Sequence, residues 1–408
     1  MSFFKKIKVK YKNNALRNRL IKENKRFNLE HYVFKKTNVL IIDQIVPEFN
    51  KDSGSRRLTE IIKLLLEKDV AVFLVADLKQ YKYKSDYIEK FKALGVNVYE
   101  PTVDQSDVLV TKELFIYKIA PKLDIAWLHR PNIFEKYYQQ IKQANANIKL
   151  VFDMVDFHYL RLSREFKDSQ DLNTKTEAER YLQIELNNCN QADSIIVISE
   201  DDKTELLRHY NKPEKMVVIG NVHDYIKKTD EFLPVENRKD LLFVGGFKHM
   251  PNEDAVLYLH NEIMPLVWET HPEIKVNIVG SYPTQTVLEL HSKKFNVIGF
   301  VEDVSLYYKT AKLFVAPLKY GAGVKGKIGQ SFEYSLPVVT TDIGAEGFDF
   351  SPFSQTMIAN NKRDFANQIV ALYTNNELWN ELSDFSPKII QPFSLKHISS
   401  TIDQVLKR

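Results

Sequence analysis

Leu313-Phe314-Val315-Ala316-Pro317, then Gly321-Ala322-Gly323-Val324-Lys325-Gly326-Lys327, then a helical pattern over 328–335, decide how this chain is read. A short apolar run of this kind is a buried strand, and the glycines after it mark the turn into a helix. Three glycines let the backbone turn tightly and approach a ligand closely. The helix start behind them offers unpaired N–H groups to an anion, and two lysines two residues apart add full positive charge. A diphosphate suits such a place. A solvated turn with two surface lysines is the competing reading, and the rest of the chain weighs between them.

Around this stretch short apolar runs alternate with helical patterns. In the second half the strands are Leu241-Leu242-Phe243-Val244, 276–279, Val297-Ile298, 313–316 and Val338-Val339-Thr340, with a helix expected over 252–269. In the first half they are Val39-Leu40-Ile41-Ile42, 70–75, 96–99, 125–128, 150–152 and 194–198. A helix over 56–68 and a long one over 174–191 lie among them. Such alternation argues for parallel sheets covered on both faces. Residues 223–240, charged, aperiodic and containing Pro234, read as a linker. The expected organisation is α/β: a basic amphipathic segment over 1–36, a Rossmann-like domain over 37–222, the linker 223–240, and a second Rossmann-like domain over 241–390. A C-terminal helix over 391–408 is expected to pack back on the first domain. Ligands of such sheets sit at the carboxyl ends of strands, so two facing sheets create a cleft.

A length of 408 residues exceeds one ordinary core and agrees with two domains. The single cysteine, Cys189, leaves no intrachain disulfide and suits a reducing compartment. No apolar run approaches the roughly 18–20 residues that span a bilayer, and the N-terminus lacks the apolar core of a signal peptide. A cytoplasmic location is expected. The net charge of +4 hides an asymmetry: residues 1–36 hold twelve Lys/Arg against two Asp/Glu, and the remainder 45 against 51. Phe3, Phe4, Ile7, Tyr11, Leu16, Leu20 and Phe27 are interleaved with those cations. A segment lying on an anionic membrane surface and a basic tail are the two readings. Nucleic acid is a weaker partner, because the basic excess ends where the folded part begins.

Several loops after strands carry chemistry. Asp52-Ser53-Gly54-Ser55 opens a helix with cap oxygens and free N–H groups; alone it is a well-capped helix, and after the first strand it is a phosphate or acceptor contact. The run from Phe152 through Asp153, Asp156 and His158 to Arg161 places two carboxylates, an imidazole and a guanidinium at a strand end. A carboxylate beside a histidine orients it and raises its basicity, which makes His158 and Asp156 the candidate catalytic pair. His129 and Arg130 are expected to line the same cleft with Ser53, Arg56 and Arg161. Gly245 and Gly246 admit a ligand, and Asn252 is expected to cap the helix that follows. Gly280-Ser281, Gly299-Phe300-Val301-Glu302-Asp303 and Gly344-Ala345-Glu346-Gly347 complete a set of turns in register on one domain. No Asp-x-Asp follows a strand as a metal clamp; Asp153 and Asp156 are expected to flank His158 instead.

Taken together, these stretches resemble the family 4 retaining glycosyltransferases, glycosyl transferases group 1, whose GT-B architecture has two Rossmann-like doubly wound domains facing across a cleft. The match runs through Asp52 to Arg57, Asp153 to His158, Phe243 to Phe247 with Pro251-Asn252, Gly299 to Asp303, Gly321 to Lys327, and Pro337 to Thr341 with Gly344 to Gly347. It covers about residues 37–350, and its C-terminal part is the more specific. The resemblance implies a nucleotide-sugar donor held mainly by the second domain and a glycan or lipid-linked acceptor held by the first, with no cofactor besides the substrate. It puts Gly323, Val324, Lys325, Lys327, Asn252 and, across the cleft, Gly54 at the donor diphosphate. Phe300 and Val301 fall to the nucleobase, Gln330 to the ribose, and His158 to the sugar and acceptor side.

Two departures stand out. Many members carry glutamates eight positions apart where this chain has Ala322 and Gln330, and an arginine where it has Gly246. Phosphate charge then falls to Lys325, Lys327, Lys248 and helix N-termini. The implied activity is metal-independent transfer with retention, in cell-surface polysaccharide synthesis, peripheral at the inner face of the membrane. Two alternatives share the architecture. One is a non-catalytic nucleotide-sugar-binding relative, favoured by Gln330 and Gly246. The other is a sugar-nucleotide epimerase or a phosphorylase, and the chain shows no signature of a pyridoxal-binding lysine.

Overall fold

The structure is a computed structural model that describes residues 3–229, 232–321 and 323–407. Ala322, residues 230 and 231 of the linker, and the outermost residues 1, 2 and 408 lie outside the described residues. The strands are β1 (Thr37–Asp43), β2 (Val70–Ala76), β3 (Asn97–Val98), β4 (Thr102–Val103), β5 (Leu109–Val110), β6 (Ile125–His129), β7 (Lys149–Asp153), β8 (Ser194–Val197), β9 (Met216–Val218), β10 (Lys239–Val244), β11 (Val276–Val279), β12 (Phe295–Gly299), β13 (Ala311–Ala316) and β14 (Val338–Thr340). The first sheet runs β3-β2-β1-β6-β7-β8-β9 and the second β12-β11-β10-β13-β14; β4 and β5 form a small antiparallel ribbon. Pairing within both large sheets is parallel. Their strands are apolar through their middles because helices cover both faces, and β2 is buried at every residue.

Strand order reverses between β1 and β6 in the first sheet and between β10 and β13 in the second. At such a switch point the loops leave in opposite directions and open a crevice. The stretches after β1, β6, β10 and β13 include Pro47 to Asp52, Arg130, Gly245-Gly246 and Gly321 to Lys325. The stretches singled out by chemistry therefore fall where topology places ligands.

The helix Ser53–Glu67 starts because Asp52 accepts the Ser55 N–H at 2.8 Å and the Ser55 hydroxyl at 2.8 Å. It buries Leu58, Ile61, Ile62 and Leu65, and among them Arg57. Both oxygens of Asp153 take Arg57 Nη1, at 3.1 and 3.0 Å, while Nε and Nη2 donate to the Ile219 carbonyl at 3.1 and 2.9 Å. Trp127 Nε1 donates to the same carboxylate at 2.9 Å. Asp153 thus turns into the core and does not flank His158. A buried pair of this kind persists because every polar atom has a partner.

In the second domain the helical column after β10 runs from Met250 to Thr270, with a π turn over Leu259–Ile263. His249 is its N-cap, and Asn252 lies inside the first turn rather than capping it. The chain crosses between the domains near residues 219–226 and again near Gln391–Phe393, where His223 N donates to the Phe393 carbonyl at 2.8 Å. The final helix, Leu395–Leu406, buries Ile398, Ile402 and Val405 in the first domain's core. Of the linker expected over 223–240, the described residues 223–229 and 232–238 are irregular apart from a short helical turn at Val235–Asn237, and β10 already begins at Lys239.

The N-terminal helix, Phe3–Lys22, is docked along its second half: Leu16 and Leu20 pack against Val103 of the ribbon, and Arg17 Nε donates to the Asp107 carbonyl at 2.5 Å. Its apolar residues are split, since Ile7 is 52% and Tyr11 75% exposed. Among the described residues no helix is long and apolar enough to cross a membrane.

Removing Arg57 strands Asp153 without a counter-charge. Arg57→Met is expected to lower unfolding free energy by roughly 3–5 kcal/mol, measured by urea denaturation; a loss under about 1 kcal/mol would show the pair to be dispensable.

Candidate active site

Two helix starts meet across the cleft. A Cβ on Gly326 would stand 2.6 Å from Ser53 Cβ, so glycine is required for the helix Gly326–Glu333 to approach the helix Ser53–Glu67 this closely. A Cβ on Gly246 would face Ser281 Oγ at 3.3 Å and the Lys51 carbonyl at 4.0 Å, which brings the β10 loop to the same junction. Each helix N-terminus carries partial positive charge and N–H groups without intrahelical partners. Gly54 lies beside them, 3.7 Å in Cβ terms from Arg130 Nη2.

The loop after β13 is held from both domains. Gly323 has φ 68°, and a Cβ there would press on Ile198 Cγ2 at 3.0 Å. Asn221 Nδ2 donates to the Val324 carbonyl at 3.0 Å, and Arg164 Nη1 to the Gly321 carbonyl at 2.8 Å. Lys325 Nζ donates to the Gly323 carbonyl and pairs with Glu346 Oε2 at 3.2 Å. Arg164 takes both oxygens of the same glutamate, at 2.7 and 3.0 Å. Burial lowers the pKa of Lys325 in spite of Glu346. Lys327 points elsewhere: Nζ donates to Asn252 Oδ1 and lies 4.5 Å over the Phe243 ring, while Asn252 Nδ2 donates to the Gly246 carbonyl at 2.7 Å. Burial, with Lys325 adding repulsion, lowers the Lys327 pKa to about 7. Both lysines stand at the helix start, on different partners.

On the first domain's side, Asp156 Oδ2 accepts from Arg161 Nε at 2.8 Å, and His158 Nδ1 lies 3.0 Å from the Asp156 carbonyl. Burial opposes the charge on His158, but its contact with Glu185 and the carboxylates of Asp156 and Glu185 raise its pKa above the ordinary value. Arg130 adopts φ 87°, a conformation costly for any residue with a side chain, and Asp43 Oδ1 holds its Nε at 2.9 Å. Strain retained at a strand end beside Gly54 points to function.

His129 does not line the cleft. It is 0% exposed and faces Asp43 at 3.1 Å, beneath Arg130. Arg56 is a clasp between domains: Nη2 donates to both oxygens of Glu333, at 2.7 and 2.9 Å, and Glu333 also holds His223 Nδ1 at 2.6 Å. Phe300 is exposed at the end of β12 with Val301 half-buried beside it. Gln330 Oε1 accepts from the Tyr308 hydroxyl at 3.3 Å. Lys248 is drawn away from the glycine loop, its Nζ 3.6 Å over the Tyr282 ring.

Four residues escaped sequence reasoning as members of the site. Glu333 and Glu346 pair with cations far away in sequence. His249 is exposed at the start of the helix after β10, and partial desolvation of its ring, then Lys327 and Arg161, lowers its pKa to about 4. Asp202, 2% exposed, has no hydrogen-bond partner on either carboxylate oxygen among the described residues and lies 3.5 Å in Cβ terms from Gly323; burial, then Asp156 and Glu346, raise its pKa to about 7. Only Glu346, within a glycine turn after a strand, carried a signal that pointed to the cleft.

Residues 238–375 match the family model of glycosyl transferases group 1. Over 173 residues the chain is 28% identical to an uncharacterized 44.6 kDa protein in the cps region of Klebsiella pneumoniae; the match covers 40% of this chain and 45% of that relative, less than half its length. In fold the chain is similar to HepE of Anabaena, solved with UDP-glucose, with a TM-score of 0.66 at 16% identity over 90% of this chain and 99% of that one. It is similar also to sucrose-phosphate synthase of Thermosynechococcus elongatus, with a TM-score of 0.65 at 14% identity over 91% and 98%. The architecture is therefore GT-B, two Rossmann-like domains facing across a cleft, and the match to glycosyl transferases group 1 falls in the second of them.

Proposed function

We propose that this protein is a retaining, metal-independent glycosyltransferase that moves a sugar from a nucleotide-sugar donor to a glycan or glycolipid acceptor. The observation that carries the reading is the meeting of two helix N-termini across the cleft, one of them carrying Lys325 and Lys327 at its start. Breaking a sugar–phosphate bond develops negative charge on the leaving diphosphate, and donors fixed in advance at that point lower the barrier. Lysines and N–H groups meet that charge without a metal ion. Gly54, Gly323, Val324 and Asn252 supply backbone approach and an amide, Phe300 and Val301 border the base, and Gln330 addresses the ribose. Ser53, Arg130 and Arg161 face the acceptor, with His158 and Asp156 between sugar and acceptor. Retention rests on the motif resemblance and is read from the anomeric configuration of the product. The UDP-glucose complex of HepE supports a uridine nucleotide, and the cps-region relative supports a role in polysaccharide synthesis. The basic helix Phe3–Lys22, with Ile7 and Tyr11 exposed, fits an anionic membrane surface at the cytoplasmic side.

Gln330 and Gly246 favour a second reading, a non-catalytic binder of sugar nucleotides. Release of nucleoside diphosphate from UDP, GDP, ADP and TDP sugars decides: turnover with one of them supports the enzyme, and tight binding without turnover supports the binder.

Lys325→Ala with Lys327→Ala is expected to weaken sugar-nucleotide binding about 100-fold, since two charge-assisted hydrogen bonds are lost; unchanged affinity would sink the diphosphate assignment. The same lysines give a pH dependence. Free Lys327 is protonated below about pH 7 and a bound diphosphate keeps it so. Above that pH binding takes up a proton, and the Kd rises by up to about tenfold per pH unit. His158→Ala is expected to lower kcat about 100-fold with donor KM within about twofold, and full activity would remove His158 from the mechanism. Deleting residues 1–36 is expected to abolish sedimentation with anionic liposomes; equal sedimentation would refute the membrane contact.

A further inference from the structure

Glu185, on the helix Leu172–Gln191, is fully buried. Its oxygens are directed at the start of the neighbouring helix His158–Ser169. Oε1 accepts the His158 N–H at 2.9 Å and Oε2 the Tyr159 N–H at 3.2 Å. The same Oε1 lies 3.5 Å from His158 Nδ1, which also approaches the Asp156 carbonyl at 3.0 Å. A carbonyl only accepts, so Nδ1 carries the hydrogen, and the neutral ring keeps its lone pair on Nε2. The imidazole is stacked on Tyr181 at 4.8 Å and 23°. Tyr181 is fixed in turn by the Arg180 guanidinium 4.5 Å over its ring and by Asn132 Nδ2, which donates to its hydroxyl at 3.1 Å. The His158 side chain keeps 15% exposure, and among the described residues Nε2 has no hydrogen-bond partner.

We propose that Glu185 is a positioning residue: by accepting the His158 and Tyr159 N–H groups and standing beside the Nδ1–H that the Asp156 carbonyl takes, it holds the ring with Nε2 as the nitrogen presented to the reaction. The role in catalysis rests on the reading of His158 as a residue of the reaction centre. A helix start needs no buried carboxylate, because an exposed Ser, Asp or Asn satisfies the same N–H groups at far lower desolvation cost. What a carboxylate adds is control of the imidazole. Burial and Arg161 oppose the charge on His158, while Glu185 and Asp156 favour it; Tyr181 offers a neutral face.

The test is nuclear magnetic resonance of the full chain labelled with nitrogen-15 at histidine, with His158 assigned through His158→Gln. Wild type is expected to show the Nδ1–H tautomer in the neutral form. Glu185→Gln is expected to lower the His158 titration midpoint by about one pH unit and kcat by about tenfold, with donor KM within about twofold. An Nε2–H tautomer in wild type, or an unchanged midpoint in a folded Glu185→Gln variant, would overturn the proposal. The tautomer is read on wild type, so misfolding of the variant does not remove the test. Full turnover of His158→Ala would overturn the catalytic role alone, and the tautomer and midpoint separate that outcome from a failure of Glu185.

Discussion

The arrangement of the cleft depends on one guanidinium. Arg57 reaches from the helix Ser53–Glu67 into the core, where Asp153 and the carbonyl of Ile219 take its hydrogens. Three parts of the molecule are tied there: the helix whose start faces the cleft, the end of β7, and the first crossing between domains. A planar fork serves several acceptors in fixed directions, which an ammonium does not. Because the pair is dry, moving the helix would leave charges unpaired, and Ser53 and Gly54 stay where the opposite domain meets them.

That meeting sets positive ends against each other. Two helix N-termini, Lys325, Lys327, Arg130 and Arg56 crowd one region, and without a counter-charge their repulsion would open the cleft. The protein supplies part of the counter-charge itself: Lys325 and Arg164 share Glu346, Glu333 pairs with Arg56, and Asp43 pairs with Arg130. On the proposed function a diphosphate enters a site that is only partly balanced, since Lys325 and Arg164 share one carboxylate and Lys327 rests on the Asn252 amide. The arriving phosphate meets that residual positive charge.

Much of this was legible in the chain, for definite reasons. Strands buried on both faces carry continuous apolar runs, so β1, β2, β10 and β13 stood out, and glycines after β10 and β13 marked the ligand side. Long-range pairing was not legible. Arg56 and Arg57 are adjacent and chemically alike, yet one clasps the opposite domain and the other fills a core, because helical geometry turns neighbours about 100° apart. His129 looked like a cleft residue by its place after β6, but alternation along a strand points it into the protein and leaves Arg130 to emerge. Glu185 and Glu333 sit on helices, where a glutamate ordinarily reads as a solvated surface residue. The partners of all these groups lie tens to hundreds of positions away, where no local pattern reports them.

The two crossings between domains have a mechanical consequence. The segment near Ile219 to His223 and that near Phe393 run side by side, joined by the hydrogen bond from His223 to Phe393. A body suspended from one thread can swivel and slide, whereas one suspended from two adjacent threads turns chiefly about the line through them. The last helix makes the second thread taut by anchoring Ile398, Ile402 and Val405 beneath the first sheet. Were the cleft to open, the domains would turn like a door on paired pins. The glycine loop would return along one arc, and Gly326 would arrive at Ser53 in register rather than by search.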